Sequence, residues 1–367
     1  MAARPSTRTR TDRAPDLATR PAVRDFTTSQ APTIDWDVRP VYDFLFSLSG
    51  EAGALEELPA QDRRWLDEAR TALTAEQRAS VSRFAESELM IHLAGLLVED
   101  REIRTADALV EAVRSASGTG VVRAILAEAA RDPKVRDLVE AALSGDAAAL
   151  DDLGKEHPEW GPKGRLDLLR DPDAAKAEIL SVLSGWAGQY QAIEDRIGAI
   201  LSRDYDLRAG DRATISGPDL IEKTTGGVRW MSEASTRRII LAPSYFSRPY
   251  NYLLAADDWR FFGYPVADDA LDLVDPLAPP LGVIRLHRAL GDATRLRILK
   301  LLAGKDLYLT EIAQQLELSK PTIKHHLALL RIAGLVTVTE TGNLVYYSLR
   351  RTRLEDPSVD LKRFLTD

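Results

Sequence analysis

There is no cysteine among the 367 residues, so disulfides, thiolate metal sites and thiol catalysis are excluded together. Histidine is almost as scarce, at five, and no zinc-binding spacing is present. No run approaches the roughly 18 to 20 uninterrupted apolar residues that a membrane span needs. The N-terminus lacks the apolar core of a secretory signal. A nucleophile elbow and a phosphate-cradling glycine loop are missing as well. A cytoplasmic, nucleoid-associated protein with no membrane partner, no cofactor, no metal and no enzymatic role is the expectation.

What is present is an uneven distribution of charge. The net formal charge is −8, an unpromising value for a protein that touches nucleic acid. Residues 281–350, however, carry ten Lys/Arg against five Asp/Glu, and residues 1–33 carry six Arg against three Asp. Residues 351–367 balance, which leaves −16 on residues 34–280. A basic module beside an acidic body is the asymmetry of a chain that meets phosphates at one end only.

The length requires two domains or more. Residues 1–33, rich in Arg, Thr, Pro and Ala without apolar periodicity, read as a disordered basic tail. Residues 34–210 read as a helical domain. One long helix is expected over Ala75–Leu97, where Val81, Ala85, Leu89, Leu93 and Leu96 recur at helical spacing. Others are expected over Ala106–Ser115, Gly120–Ala130, Pro133–Leu143 and Ala147–Glu156, and from Pro172 to about Ser202. Residues 211–268 read as a small antiparallel β subdomain packed on the helices. Its strands are Arg238–Leu241, Tyr252–Leu254 and Trp259–Tyr264, the last two joined by a turn at Asp257–Asp258. A linker with three prolines, 269–280, leads to a final domain over 281–350. Residues 351–367 form a C-terminal tail with room for a short helix. The fold class is therefore mainly α (α+β): a helical N-terminal domain with a small antiparallel sheet, then a winged helix-turn-helix domain.

That last assignment rests on an ordered succession of features. Leu281–Leu290 makes a helix, Gly291–Thr294 stops it, and Arg295–Leu302 follows with Leu296, Leu299 and Leu302 facing inward. Thr310 caps a short helix to Leu316, and Ser319 caps a second, with Pro321 in its first turn. Ile323, Leu327 and Leu330 pack the second helix on the first, which is the helix-turn-helix arrangement whose second helix enters the major groove. Ser319, Lys320, Pro321, Thr322, Lys324 and His325 are the outward candidates for double-stranded DNA. Leu335–Val338 and Val345–Leu349 alternate as the hairpin of a wing, whose tip adds Thr341 and Asn343.

The runs "ALGDATRLRIL", "LTEIAQQLELSKPTIKHHLALLRIAGLV" and "NLVYYSL" resemble the ArsR family of bacterial repressors. Upstream, "RRIILAPSYFSRPY" and the aromatic strand after it look like larger, mostly actinobacterial ArsR-type regulators with an uncharacterised helical N-terminal domain. The resemblance implies a homodimeric transcriptional regulator that represses. It implies pairing through Leu281–Leu290 and the tail Val359–Leu365, with one residue of the pair His325 and His326 facing inward. It does not bring metal sensing with it. The family's Cys-x-Cys positions hold Tyr308 and Thr310, and no histidine follows His326. The wing tip is also acidic where relatives often carry arginine.

The N-terminal domain then senses an unknown small-molecule effector or dimerises. Two rival readings are a winged-helix protein-interaction scaffold and an enzyme fused to a DNA reader. Eight of the 24 aromatic residues fall between Tyr245 and Tyr264. Tyr245, Phe246, Tyr250, Tyr252, Trp259 and Phe261 among them are open to core packing, a subunit interface or a ligand pocket. His92 and Glu88 lie four residues apart, on one helix face, as a polar pair beside the core.

Overall fold

The computed structural model describes residues 31–50, 52–53, 57–86, 89–162, 164–231, 233–271, 279–341, 344–354 and 359–366. The expected tail 1–33 lies outside them except for its end, and there the assignment changes. Thr33 already opens a strand, β1 (Thr33–Trp36). The body continues with α1 (Pro40–Ser47), α2 (Ala60–Ala72), α3 (Ala75–Glu86), α4 (Ala94–Glu99), α5 (Ala106–Ser115) and α6 (Gly118–Leu126). After these come α7 (Pro133–Leu143), α8 (Ala147–Glu156), α9 (Arg165–Arg170), α10 (Pro172–Leu207), α11 (Ala209–Thr214) and α12 (Gly217–Thr224).

Helix α10 is the axis of the body. Asp171 caps it by accepting from the Ala174 N–H at 2.9 Å, and Pro172 fits the first helical position. Its 36 residues span about 54 Å. Ile179, Leu183, Trp186, Ile197 and Leu201 form its buried stripe, against which α1, α3, α5 and α6 pack. The Trp186 indole N–H donates to Ser47 Oγ at 2.7 Å, so even this buried polar edge is satisfied.

The single helix expected over Ala75–Leu97 is broken. α3 stops at Glu86, and the chain resumes with one 3-10 turn, Ile91–Leu93, ahead of α4. The reason is steric. Leu89, Met90, Ile91, Leu93 and Ala94 are all buried, and no single face of a straight helix buries three consecutive positions. His92 consequently turns to Glu128, 3.1 Å away, while Glu88 lies outside the described residues.

The mainly helical class stands, but the small sheet is not antiparallel, and the helices run past 210 through α11 and α12. Four strands, β1, β3 (Arg238–Ser244), β4 (Tyr252–Ala255) and β5 (Trp259–Pro265), are arranged in the order β1-β3-β5-β4. β1 and β5 run parallel to β3, and only β4 pairs antiparallel with β5. Burial on both faces explains it. Ile240 and Phe261 join the main core, while Ile239, Leu241, Phe262 and Tyr264 form a second one. Parallel strands buried on both sides carry continuous apolar runs of this kind.

Residues 269–280 do not begin as a linker. Asp268–Ala270 forms a 3-10 turn on α10, and Arg203 Nε donates to the Ala270 carbonyl at 3.0 Å. The C-terminal domain then runs α13 (Leu281–Leu290), α14 (Ala293–Leu302), β6 (Leu307–Tyr308), α15 (Leu309–Leu316), α16 (Lys320–Ile332), β7 (Val336–Thr341) and β8 (Leu344–Leu349). It has its own core, including Leu286, Ile312, Ile323 and Leu335. α17 (Val359–Thr366), the short helix of the tail, packs against α13. One further strand of the body, β2 (Val228–Trp230), crosses to this domain and pairs in parallel with β7. The wing sheet therefore has the order β2-β7-β8-β6. No helix among the described residues is long and apolar enough to cross a membrane.

Candidate nucleic-acid interface

The turn between α15 and α16 is made by Glu317 in the left-handed region (φ 57°) and by the Leu318 N–H, which donates to the Ala313 carbonyl at 3.1 Å. Ser319 then caps α16, its hydroxyl accepting from the Thr322 N–H at 3.3 Å. Ile323, Leu327 and Leu330 are all buried, which fixes the rotation of α16 and turns the remaining side chains outward. The cap of α15 is Tyr308 and not Thr310. The Tyr308 N–H donates to the Glu311 carboxylate at 2.8 Å, and this cap lies two residues earlier than the threonine suggested.

α14 also turns differently from expectation. Leu296 is 48% exposed, whereas Arg295, Ile298, Leu299 and Leu302 point inward. Arg295 takes the inward position because its guanidinium closes the end of α13. Its Nε donates to the Ala289 carbonyl at 2.9 Å and its Nη2 to the Arg288 carbonyl at 2.6 Å.

Ser319, Lys320, Pro321, Thr322, Lys324 and His325 are all exposed along the N-terminal half of α16. His326 points the other way. Its Nδ1 is buried 3.8 Å from Asp292 Oδ1, and burial lowers its pKa, so it is neutral near pH 7 while His325 faces outward. On the wing, Thr341 ends β7 and its side chain lies outside the description, as does Asn343. Tyr308 stacks on Tyr346 with ring centroids 4.3 Å apart and the two hydroxyls bonded. Tyr308, at the first of the two positions where the resemblance would place thiolates, is thus engaged by an aromatic partner. Among the described residues, no group of three or more His, Asp or Glu is placed to hold a metal.

The aromatic cluster divides. Tyr245, Phe246, Trp259 and Phe261 are buried in the main core, where Tyr252 stacks on Phe46 at 4.5 Å. Tyr250 is half-buried, and with Tyr252 it lines a cleft of about 1110 Å³ between the body and α16. Lys320, Pro321, Lys324 and His325 line the opposite wall. The outward face of α16 thus looks across this cleft at the body. Such a volume is of small-molecule size. A duplex has to bring in a groove about 12 Å wide with both its strands.

Sequence reasoning missed the residues that set this arrangement. Arg285 on α13 donates to Glu57 (2.8 Å) and Asp268 (2.9 Å), and Arg248 donates to Asp268 at 2.6 Å. Arg350 reaches Glu222 at 3.2 Å, and Arg331 Nη2 donates to the Pro249 carbonyl at 3.3 Å. The partners are distant in sequence, and no local pattern links them. β2 did leave a signal, the apolar alternation of Val228 and Trp230 after a Gly-Gly turn.

Two helices joined by a tight turn and followed by a hairpin define a winged helix-turn-helix domain, the architecture of a DNA-binding transcriptional regulator. Residues 292–338 match the family described as bacterial regulatory protein, arsR family. The chain is 42% identical over 71 residues to the transcriptional repressor SdpR of Bacillus subtilis (strain 168), a stretch that is 19% of this chain and 79% of that protein. It is 31% identical over 96 residues to the HTH-type transcriptional regulator KmtR of Mycobacterium tuberculosis, covering 26% of this chain and 67% of that one. Identity to a cadmium resistance transcriptional regulatory protein CadC homolog of Staphylococcus aureus is 38% over 71 residues, 19% of this chain and 59% of the relative. The chain belongs to the arsR family of bacterial regulatory proteins. These relatives leave the body uncharacterised.

Proposed function

We propose that this regulator is a repressor that binds operator DNA as a homodimer, with the body governing access to α16. One observation supports the reading above the others. The inner face of α16 is wholly buried, and its N-terminal half holds Lys320, Thr322, Lys324 and His325 outward on a domain of net charge +5. Thr322 and His325 have the size and hydrogen-bonding groups for base edges, while Lys320 and Lys324 suit phosphates. A single helix reads few base pairs, and two-fold pairing doubles the contacts at half-sites about one helical turn apart. Val359 and Leu365, exposed on α17 beside α13, supply apolar surface for that pairing. The relative named a repressor favours repression, and the body standing across the cleft from α16 favours a sensing role. The arrangement described is then the DNA-free one.

The test is selection of genomic fragments by the full-length protein at two salt concentrations, followed by the double variant Thr322→Ala/His325→Ala. The expected outcome is a palindromic site whose preference over random DNA falls about tenfold or more in the variant. An unchanged ratio removes α16 from the reading role. Uniform retention that vanishes with salt transfers the domain to the protein-interaction reading.

A further inference from the structure

The cleft between α16 and the body has apolar and aromatic walls, with Ile91, Tyr252 and Leu253 on one side and Val338 and Tyr347 on the other. Its charges are lopsided. Lys320, Lys324, Arg331 and Arg165 line it against one carboxylate, Glu128, which is paired with His92 at 3.1 Å. Arg331 is the unusual member. Its guanidinium makes one hydrogen bond, to the Pro249 carbonyl at 3.3 Å, and no carboxylate among the described residues lies within ion-pair distance. Burial lowers its pKa. Half-buried on the cleft wall, the guanidinium keeps most of its five donors without a protein partner among the described residues, so they stand open to an anion that enters.

We propose that this cleft binds a small amphipathic anion, an apolar or aromatic skeleton bearing a carboxylate or phosphate group. The acidic group meets Arg331 and Lys324, the first able to offer a bidentate fork. The skeleton lies on Tyr252, Leu253 and Val338. Lys320, Lys324 and His325 line the same cleft, so ligand and duplex compete, a consequence that rests on α16 being the reading helix. A ligand held between body and reader favours the closed arrangement and lowers DNA affinity, and DNA lowers the ligand's affinity by the same factor.

The probe is anilinonaphthalene sulfonate, a fluorescent apolar anion, titrated into full-length protein beside its uncharged counterpart phenylnaphthylamine. One saturable sulfonate site is expected. Arg331→Met should weaken it about tenfold, the effect of one charge-assisted contact, while the amine binds as before. Lys324 is exposed, so Lys324→Met provides a second variant that keeps its fold, and it too should lose sulfonate affinity. Equal binding of both probes, or undiminished sulfonate binding in both variants, overturns the site. Operator binding without any sulfonate binding does the same. Sulfonate binding that depends on Arg331 in a chain that binds no DNA keeps the site and removes the DNA reading. Sulfonate and operator bound together without mutual weakening overturns the competition.

Discussion

Asp43 has no exposed surface. One carboxylate oxygen accepts from the Tyr245 and Phe246 N–H groups at 2.7 and 3.0 Å and from the Ser244 hydroxyl, while the other has no partner among the described residues. Burial outweighs those bonds and raises the pKa from 3.8 to about 6. The folded state therefore holds this proton more tightly than the unfolded chain does. Asp43 contributes stability that is fully present below about pH 4 and is lost as pH rises through about 6. Asp43→Asn keeps the acceptor for the two backbone groups and removes the titration. The stability of the native protein relative to that variant should fall by about 2 kcal/mol between pH 4 and 6.5. Denaturant unfolding of both proteins across that range measures it, and parallel curves would mean that Asp43 titrates normally.

At the scale of elements, the three-residue strand β2 matters more than its length suggests. It covers the open edge of the wing sheet, so the backbone groups of β7 are bonded to the body. Gly226 and Gly227 turn the chain into it, at φ of +69° and +125°, a region that β-branched residues avoid. Gly227→Val should detach β2 and leave the separate core of the C-terminal domain intact. The Val338 N–H, which donates to the Gly227 carbonyl at 2.8 Å, should lose protection from hydrogen exchange about tenfold or more. Unchanged protection would show that β2 is not held through this turn. The same contrast explains what was legible from sequence. α13 and α16 were readable because caps and apolar spacing are local: Ser319, Ile323 and Leu327 stand where the sequence places them, whereas the cap of α15 and the inward face of α14 did not follow from them. Helices α5, α7 and α8 followed from the same signals, down to their terminal residues. Strand direction was not readable, since β1 finds β3 two hundred residues away. The continuous apolar run Ile239–Ala242, an indicator of a strand buried on both sides, was the available clue. The outward side of α16 was readable residue by residue, but the body wall opposite it was not.

At the scale of the molecule, body and C-terminal domain form one compact unit from Pro32 to Asp367, held by β2 and by charge. The body's acidic residues face a basic domain in the role that phosphates would otherwise take. Arg285 is the principal tie. Burial alone would raise the Asp268 carboxyl, but Arg285 and Arg248 more than offset it and hold the pKa low. Replacing Arg285 by Gln leaves Glu57 and Asp268 with Arg248 alone, so the closed arrangement loses its strongest charged contact. If α16 reaches DNA only after the C-terminal domain leaves the body, the open fraction sets the apparent affinity. Arg285→Gln should then bind operator about tenfold more tightly in fluorescence anisotropy, although its thermal midpoint drops. The two effects run in opposite directions, which a general loss of structure does not produce. A lower midpoint with unchanged affinity would mean that the body and DNA do not contend for α16, and the cleft would then serve the body alone.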